Sequence, residues 1–321
     1  MAQPRLRALA ATAVALLVST SACSSAEGED SSESSVQVSV FPSFNGLPTF
    51  AAQETDIFGD HDLEVEISTA KTASEMVPQV VGGKVDFALL DAATSLVAAA
   101  QGVDLVFVAA GTEGGIPEGQ EEFSFANVWV AQDSDIEDMS DLSGKTIGIP
   151  QIKSLPWVDV RSTVDAAGGD SSTIEFVETP DTLAALKSGQ VDAVTTSEPA
   201  GSVEKAAGVL RTLGPVNSGG GGVAYLWVTT RAFAEANPDT VEAFAEAINE
   251  AGGTLNEDRD LLVDTAVDVV GADRALLEKA SYPTYATEPL DEAAIGEAVD
   301  YLDSYAMFEK GAPDPADLVA P

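Results

Sequence analysis

The chain has 321 residues, enough for two domains, and 45% of them are apolar, as in folded globular proteins. Its 53 acidic and 15 basic residues give a net charge of −38, which repels nucleic acid and anionic membrane surfaces. We therefore predict no nucleic-acid partner and a strongly solvated acidic surface. With a single cysteine, the chain cannot form an internal disulfide.

The N-terminus has the pattern of a bacterial lipoprotein signal. Arg5 and Arg7 precede an apolar stretch over residues 8–18, and small residues at 19–22 lead to Cys23. We predict a signal peptide over residues 1–22, acylation of Cys23, and a disordered tether over residues 23–35 that is rich in serine and acidic residues. Thr20 stands where such signals more often carry a leucine-like residue, so an ordinary secreted protein and an uncleaved N-terminus stay as alternatives.

Four strands and three helices are predicted in residues 36–126, the first part of lobe 1. The strand candidates are β-branched or apolar runs, and the helix candidates carry caps or alanine-rich sequence. In chain order they are strand 36–41, helix 45–54, strand 63–67, helix 72–81, strand 85–90, helix 92–101 and strand 105–110. This alternation is typical of an α/β lobe with a largely parallel sheet. The glycine-rich segment 112–124 is predicted to be a loop.

Residues 127–229 repeat the pattern as lobe 2, and residues 230–321 return to lobe 1. The elements predicted for lobe 2 are strands 145–149, 173–177, 191–195 and 209–213 and helices 154–167, 182–187 and 198–207. Strands at 127–132 and 223–229 are predicted to connect the lobes and act as hinges, with a glycine loop at 218–222 between them. The tail is mainly helical, and its helices at 238–251, 258–270, 273–280 and 291–305 are predicted to pack on lobe 1.

A fixed-distance repeat supports two similar lobes. Gly-Lys-Val-Asp at 83–86 recurs as Gly-Gln-Val-Asp at 189–192, 106 residues later, and Gly-Val at 102–103 recurs at 208–209 with the same offset. Asp86 and Asp192 resemble a catalytic acid pair only superficially. Both precede strands, away from the expected cleft, so we assign them to turns or caps.

Four motifs in this order resemble a known family. In chain order they are the region 41–50, the segment 82–88, the segment 142–150, and the segment 186–193 followed by Glu198-Pro199. Together they resemble the substrate-binding proteins of ABC importers, in the group that takes nitrate, aliphatic sulfonates, taurine and thiamine pyrimidine precursors. The resemblance covers residues 36–305. It implies the type II periplasmic binding protein fold, in which two Rossmann-like α/β lobes are joined by two crossover strands and close on a ligand.

Ligands bind open α/β sheets beyond the carboxyl ends of the strands, where loops meet helix N-termini. A cleft between the lobes would gather five such strand ends. Phe44 and Trp157 would stack on a flat ligand, or else lie in the core. We predict ligand contacts from Phe41, Ser43, Phe44, Asn45, Lys71, Thr72, Asp91, Ala92, Thr94, Gln151, Lys153, Ser154, Trp157, Ser197 and Glu198.

The charges at these positions leave the ligand class open. Helix N-termini together with Lys71 and Lys153 favour a sulfonate, nitrate or carboxylate. Asp91 and Glu198 favour an amine or an N-heterocycle, unless each acid only caps its helix.

The resemblance implies a binding protein and not an enzyme. We expect a monomer that captures a small organic or oxyanion solute, delivers it to an ABC permease, and is held by its N-terminal lipid on the outer face of the bacterial cytoplasmic membrane. The only histidine, His61, lies on a predicted surface turn, and no metal or cofactor site can be assembled from the motifs. The alternatives are a thiamine-precursor-synthase-like or hydrolytic enzyme of the same fold, and a ligand-sensing lipoprotein that docks a membrane receptor.

Overall fold

A computed structural model describes residues 34–320, within which the chain forms ten strands and twelve α-helices. The predicted signal peptide, Cys23 and most of the predicted tether lie outside the described residues. The first strand begins at Ser34, so residues 34 and 35 of the predicted tether belong to a strand instead. No helix among residues 34–320 combines the length and the apolar character of a membrane-crossing segment.

The first lobe is built on a five-stranded sheet. In spatial order its strands are β2 (Leu63–Thr69), β1 (Ser34–Val40), β3 (Phe87–Asp91), β10 (Ser218–Thr230) and β4 (Leu105–Gly115). β1 is parallel to β2 and β3, whereas β10 is antiparallel to both of its neighbours. The last strand of the chain therefore lies inside the sheet that the first strands began.

The second lobe has a sheet of the same design. In spatial order its strands are β7 (Glu175–Glu178), β6 (Thr146–Ile149), β8 (Ala193–Ser197), β5 (Ala126–Ala131) and β9 (Leu210–Pro215). β6 is parallel to β7 and β8, and β5 is antiparallel to β8 and β9. The two-lobe α/β architecture implied by the sequence is confirmed.

The helices divide between the two lobes. Among the described residues the second lobe has α5 (Leu155–Ala166), α6 (Thr182–Lys187) and α7 (Ala200–Ala206). The first lobe has α1 (Leu47–Glu54), α2 (Ile57–Asp60), α3 (Ala73–Val81), α4 (Ala92–Ala100), α8 (Arg231–Ala236), α9 (Pro238–Glu257), α10 (Arg259–Val270), α11 (Arg274–Leu277) and α12 (Glu292–Asp303). Short 3-10 turns lie at Phe44–Gly46, Met139–Leu142, Ser171–Thr173 and Pro315–Asp317.

The repeated aspartates have a shared structural role. Asp86 accepts a hydrogen bond from a backbone N–H of β1 at 2.8 Å, and Asp192 accepts one from a backbone N–H of β6 at 2.8 Å. Asp86 thus ties the start of β3 to β1, and Asp192 ties the start of β8 to β6. Gly83 and Gly189, in the turns before them, have φ values of 64° and 71°, which favour glycine.

Alternating residues cover both faces of the first sheet. Phe87, Leu89 and Trp227 are buried on the face that α9 covers, where the ring of Phe87 stacks on Phe244 at 4.1 Å between centroids. Leu90 and its neighbours on the opposite face pack against α3, α4 and α12. The C-terminal helices therefore complete the core of lobe 1, as predicted.

The chain passes between the lobes twice. It leaves the first sheet after Gly115 and enters the second at Ala126, and it returns between Pro215 and Ser218. The crossings lie immediately before β5 and β10, which are the strands predicted as connectors. Each of these strands pairs within a single sheet along its length.

Two glycine-rich segments predicted as loops are partly strand. β4 continues to Gly115 and β10 begins at Ser218, and these ends pair with each other through an irregular register. A Cβ on Gly114 would lie 2.2 Å from the carbonyl oxygen of Gly222, so only glycine permits this approach of the two backbones. The loop prediction was wrong at 112–115 and 218–222 because glycine here serves close packing between strands.

Candidate functional site

A cavity of about 740 Å³ lies between the two lobes, beyond the carboxyl ends of strands from both sheets. The loops that follow β1, β2 and β3 form its wall in lobe 1, and the loops that follow β6 and β8 form its wall in lobe 2. Pockets for small organic ligands have volumes of about 300 to 1,000 Å³. The cavity is thus of a suitable size for one small solute.

Most of the predicted contact residues meet in this cavity. They come from all five of the strand ends considered above, and from both lobes. The predicted residues that line it are Phe41, Ser43, Asn45, Lys71, Thr72, Asp91, Gln151, Ser154, Ser197 and Glu198.

The two aromatic residues predicted to stack on a ligand lie elsewhere. Phe44 is 1% exposed and stacks on Tyr282 at 4.2 Å between centroids, so it belongs to the core of lobe 1. Trp157 packs on Phe176, and the guanidinium of Arg161 lies 4.6 Å from the centre of its ring. Neither side chain lines the cavity, because each is taken up by packing within the protein.

Three further predicted residues do not line the cavity. Ala92 is 1% exposed at the start of α4. Thr94 donates its hydroxyl hydrogen bond to Asp91 at 2.7 Å. Lys153 forms an ion pair with Glu309 at 2.5 Å, which joins lobe 2 to the tail of lobe 1.

Asp91 is buried where two helices begin. Its Oδ1 accepts hydrogen bonds from the N–H of Thr94 in α4, at 2.9 Å, and from the N–H of Leu155 in α5, at 3.0 Å. Burial raises the pKa of Asp91, while these hydrogen bonds act in the opposite direction. One carboxylate therefore serves two helix N-termini, one from each lobe.

Asp159 is a second buried acid of the cavity, and it is not among the residues predicted from the sequence. It lies in α5 of lobe 2, and its Oδ1 accepts hydrogen bonds from the N–H of Gly219 at 3.0 Å and the hydroxyl of Tyr301 at 2.8 Å. Both donors belong to lobe 1. Burial raises the pKa of Asp159 to about 8, with a smaller contribution from the charge of Asp91.

The position of Asp159 in the helical pattern of the sequence indicates that its side chain is buried. It lies four residues after Leu155 and one after Val158, which are both buried, so it is an acid on the apolar face of a helix. Tyr225 also lines the cavity and packs edge to face on Phe41 at 5.9 Å between centroids. Its role was not predictable, because the strand that carries it was taken only as a connector.

Glu198 differs from the other two acids because its carboxylate lacks hydrogen-bond partners. It is 3% exposed, and neither of its carboxylate oxygens accepts a hydrogen bond from the described residues. Burial raises its pKa to about 7, and the nearby N–H and hydroxyl of Ser202 oppose this without reaching normal hydrogen-bond geometry. Asn45 is 5% exposed, and its Oδ1 also lacks a partner among the described residues. Both side chains line the cavity.

His61 lies outside the cavity, and the described residues form no metal-binding group. Nε2 of His61 lies 2.9 Å from an oxygen of Glu250 on lobe 1, and His61 does not line the cavity. Within residues 34–320, no group of three or more His, Cys, Asp or Glu side chains is arranged to hold a metal ion.

Comparison with known sequences identifies a family. The profile of the NMT1/THI5 like family matches residues 43–258, which is more than half of the chain. A search of curated protein sequences finds no significant match.

Solved structures with the same fold cover almost the whole chain. The alkanesulfonate-binding protein SsuA from Xanthomonas axonopodis pv. citri is 19% identical, with a TM-score of 0.73 over 89% of this chain and 98% of that one. The aliphatic sulphonate binding protein SsuA from Escherichia coli is 17% identical, with a TM-score of 0.69 over 89% and 91%. The nitrate-binding protein NrtA from Synechocystis PCC 6803 is 11% identical, with a TM-score of 0.69 over 88% and 84%. At these identities the likeness establishes the periplasmic binding protein fold.

Proposed function

Because the chain belongs to the NMT1/THI5 like family, we propose that it is the solute-binding protein of an ABC importer. It captures a small organic or oxyanion solute between its lobes and delivers it to the permease. The observation that carries this proposal is the 740 Å³ cavity, to which both lobes contribute polar side chains. The candidate solutes are those of sulfonate, nitrate, taurine or thiamine-pyrimidine type.

Contacts across the cavity support capture by closure of the lobes. Asp91 of lobe 1 accepts a hydrogen bond from lobe 2, and Asp159 of lobe 2 accepts two from lobe 1. Only two segments of the described chain join the sheets, so these contacts can form and break without unfolding a lobe. A solute that contacts both lobes stabilises the closed form of the protein. Because the solute binds the closed form more tightly than the open form, it raises the population of the closed form.

Binding without conversion fits the residues of the cavity. The single histidine lies outside it, and two of its three buried carboxyl groups are held by backbone or tyrosine donors of the protein. Catalysis by nucleophile and base needs a pair in hydrogen-bond contact, and the described residues of the cavity wall include no Cys/His or Ser/His pair.

Calorimetry on the purified full chain tests this function. A panel of sulfonates, nitrate, taurine, amines and N-heterocycles should include one class that binds saturably, one molecule per chain, and mass spectrometry should recover that solute unchanged. Conversion of the bound solute would contradict the proposal and indicate an enzyme. The absence of binding across the whole panel would also contradict the proposal.

We place the protein outside the cytoplasm as a lipid-anchored monomer, with Cys23 as the acylated residue. In membrane fractionation, Cys23→Ala should move the protein to the soluble fraction, because the lipid is its only expected anchor. Ser24→Ala is the matched control and should stay with the membrane. Retention of the Cys23→Ala protein in the membrane fraction would refute lipid anchoring.

A further inference from the structure

At one point of the cavity wall, where α4 and α5 begin, the place where an anion would bind is occupied by the protein's own carboxylate. Helix N-termini at the cavity offer N–H groups that suit an oxyanion. The N–H groups of Thr94 and Leu155, at the starts of α4 and α5, already donate to Asp91 at 2.9 and 3.0 Å. An incoming sulfonate or nitrate would therefore meet a buried acid at this point instead of free donors.

The groups of the wall that lack partners are acceptors. Both carboxylate oxygens of Glu198 and Oδ1 of Asn45 are buried, line the cavity and receive no hydrogen bond from the described residues. Buried acceptors without partners are costly and rare in folded proteins. Their partner must come from what fills the cavity, and it must carry hydrogen-bond donors.

Basic residues offset these acids only in part. Among the described residues that line the cavity, Lys71 is the only basic one, and it is exposed, so solvent screens its charge. The charge of Lys205, on the helix that follows Glu198, opposes the rise in the pKa of Glu198, but Lys205 is exposed and its ammonium lies 4.8 Å from the ring centre of Phe123. The buried part of the wall therefore favours positive charge in the solute.

The rest of the cavity wall suits a carbon body. Phe41 and Tyr225 form one aromatic corner, and the buried side chains of Leu155 and Val216 also line the cavity. Contact with these groups favours an apolar portion of the solute.

We infer that the solute is a small nitrogen base, with an ammonium, amidinium or guanidinium group on an apolar body, and that Glu198 binds its N–H groups through both carboxylate oxygens. This inference rests on the proposed function as a binding protein. Two unpartnered oxygens on one carboxylate match the paired donors of an amidinium or guanidinium, and such charge-assisted bonds are stronger than neutral ones.

Probes with matched bodies test the charge preference. Benzamidine is compared with benzenesulfonate, and butylamine with butanesulfonate, by isothermal titration calorimetry on the full chain. The variants are Glu198→Gln and, as a control, Glu175→Gln, which alters an exposed acid on β7 of the same lobe. We expect the wild type to prefer the nitrogen probe of each pair. Glu198→Gln should weaken its binding about 10- to 100-fold, and Glu175→Gln should leave it unchanged.

The melting temperature without ligand separates a binding role from a structural one. Glu198→Gln should melt at or above the wild type, because it removes a buried charge that lacks a protein partner. Tighter binding of the sulfonate probes by the wild type would overturn the inference and leave the proposed function intact. Unchanged affinity of Glu198→Gln for the nitrogen probes would also overturn it. Failure of all four probes to bind the wild type would count against both proposals, and the wild-type comparison does not depend on the folding of any variant.

Discussion

The wild-type protein should lose stability as the pH rises because Asp159 is buried, and the substitution Asp159→Asn should remove this loss. Asp159 is 2% exposed, and burial raises its pKa from the ordinary 3.8 to about 8. Between these two values, the folded protein holds a proton on Asp159 that the unfolded chain has released. The free energy of unfolding therefore falls as the pH rises through this range, by up to about 1.4 kcal/mol per pH unit for one group. The stability that the protonated Asp159 contributes is fully present below the pKa of Asp159 in the unfolded chain. It is lost once the pH passes the pKa of Asp159 in the folded protein.

Asparagine keeps the shape of this side chain and its acceptor. Its Oδ1 can accept the hydrogen bonds that Tyr301 and Gly219 now donate at 2.8 and 3.0 Å, so little stability is lost at low pH. At about pH 8, the variant should exceed the wild type by on the order of 3 kcal/mol. This is about half of the full range, because the carboxyl borders a cavity that water can enter and solvation lowers the cost of its charge.

Urea unfolding followed by tryptophan fluorescence at about pH 5 and about pH 8 measures this difference. Glu175→Gln serves as the control, since this exposed acid on β7 should show the same stability difference from wild type at both values. A difference between Asp159→Asn and wild type that stays constant with pH would refute the conclusion that Asp159 is protonated in the folded protein.

Two further substitutions test packing and the boundary of the site. Gly201→Ala should destabilise the protein by about 1 to 3 kcal/mol in urea unfolding, because its Cβ would lie 2.1 Å from the buried ring of Trp129. Gly296→Ala is the control, since its nearest contact would be at 3.9 Å in a helix that alanine favours, and equal effects of the two would contradict the packing argument. Lys153→Ala should change stability by less than about 1 kcal/mol and solute affinity by less than about twofold, because Lys153 pairs with the exposed Glu309 and does not line the cavity. A large calorimetric loss of affinity in this variant would place Lys153 in the site.

The two-lobe architecture could be predicted from the sequence because the chain repeats one topology, and short sequence patterns mark its elements. Strands covered on both faces are continuous apolar runs, and the repeated Gly-x-Val-Asp marks the same point in each lobe, where Asp86 and Asp192 bond to the neighbouring strand. The glycine segments were misread, because glycine in a loop and glycine at a close approach of two strands have the same composition. Only the partner strand distinguishes them, as Gly114 and Gly222 show.

The site was predictable in position but less so in its chemistry. The rule that ligands bind beyond the carboxyl ends of strands located most of the cavity wall from local sequence. Whether a side chain faces the cavity or the core depends on packing between distant elements. Phe44 was therefore placed in the site although Tyr282, far along the chain, covers its ring. Asp159 was omitted because its two donors come from the other lobe.

Asp91 and Glu198 lie at equivalent strand ends, but their positions relative to the following helix differ by one residue. This difference determines whether the carboxylate caps a helix or faces the cavity. Asp91 is the N-cap of α4, and its short side chain reaches the N–H of Thr94 as well as that of Leu155. Glu198 follows the equivalent strand β8, but Pro199 stands in the N-cap position of α7, so the carboxylate lies one residue before the cap. The sequence presents both as acids that begin a helix. In the folded protein the carboxylate of Asp91 accepts hydrogen bonds from both lobes. The carboxylate of Glu198 lines the cavity, and both of its oxygens lack a partner among the described residues. A change from carboxylate to amide therefore acts on the contact between the lobes at Asp91 and on the solute at Glu198.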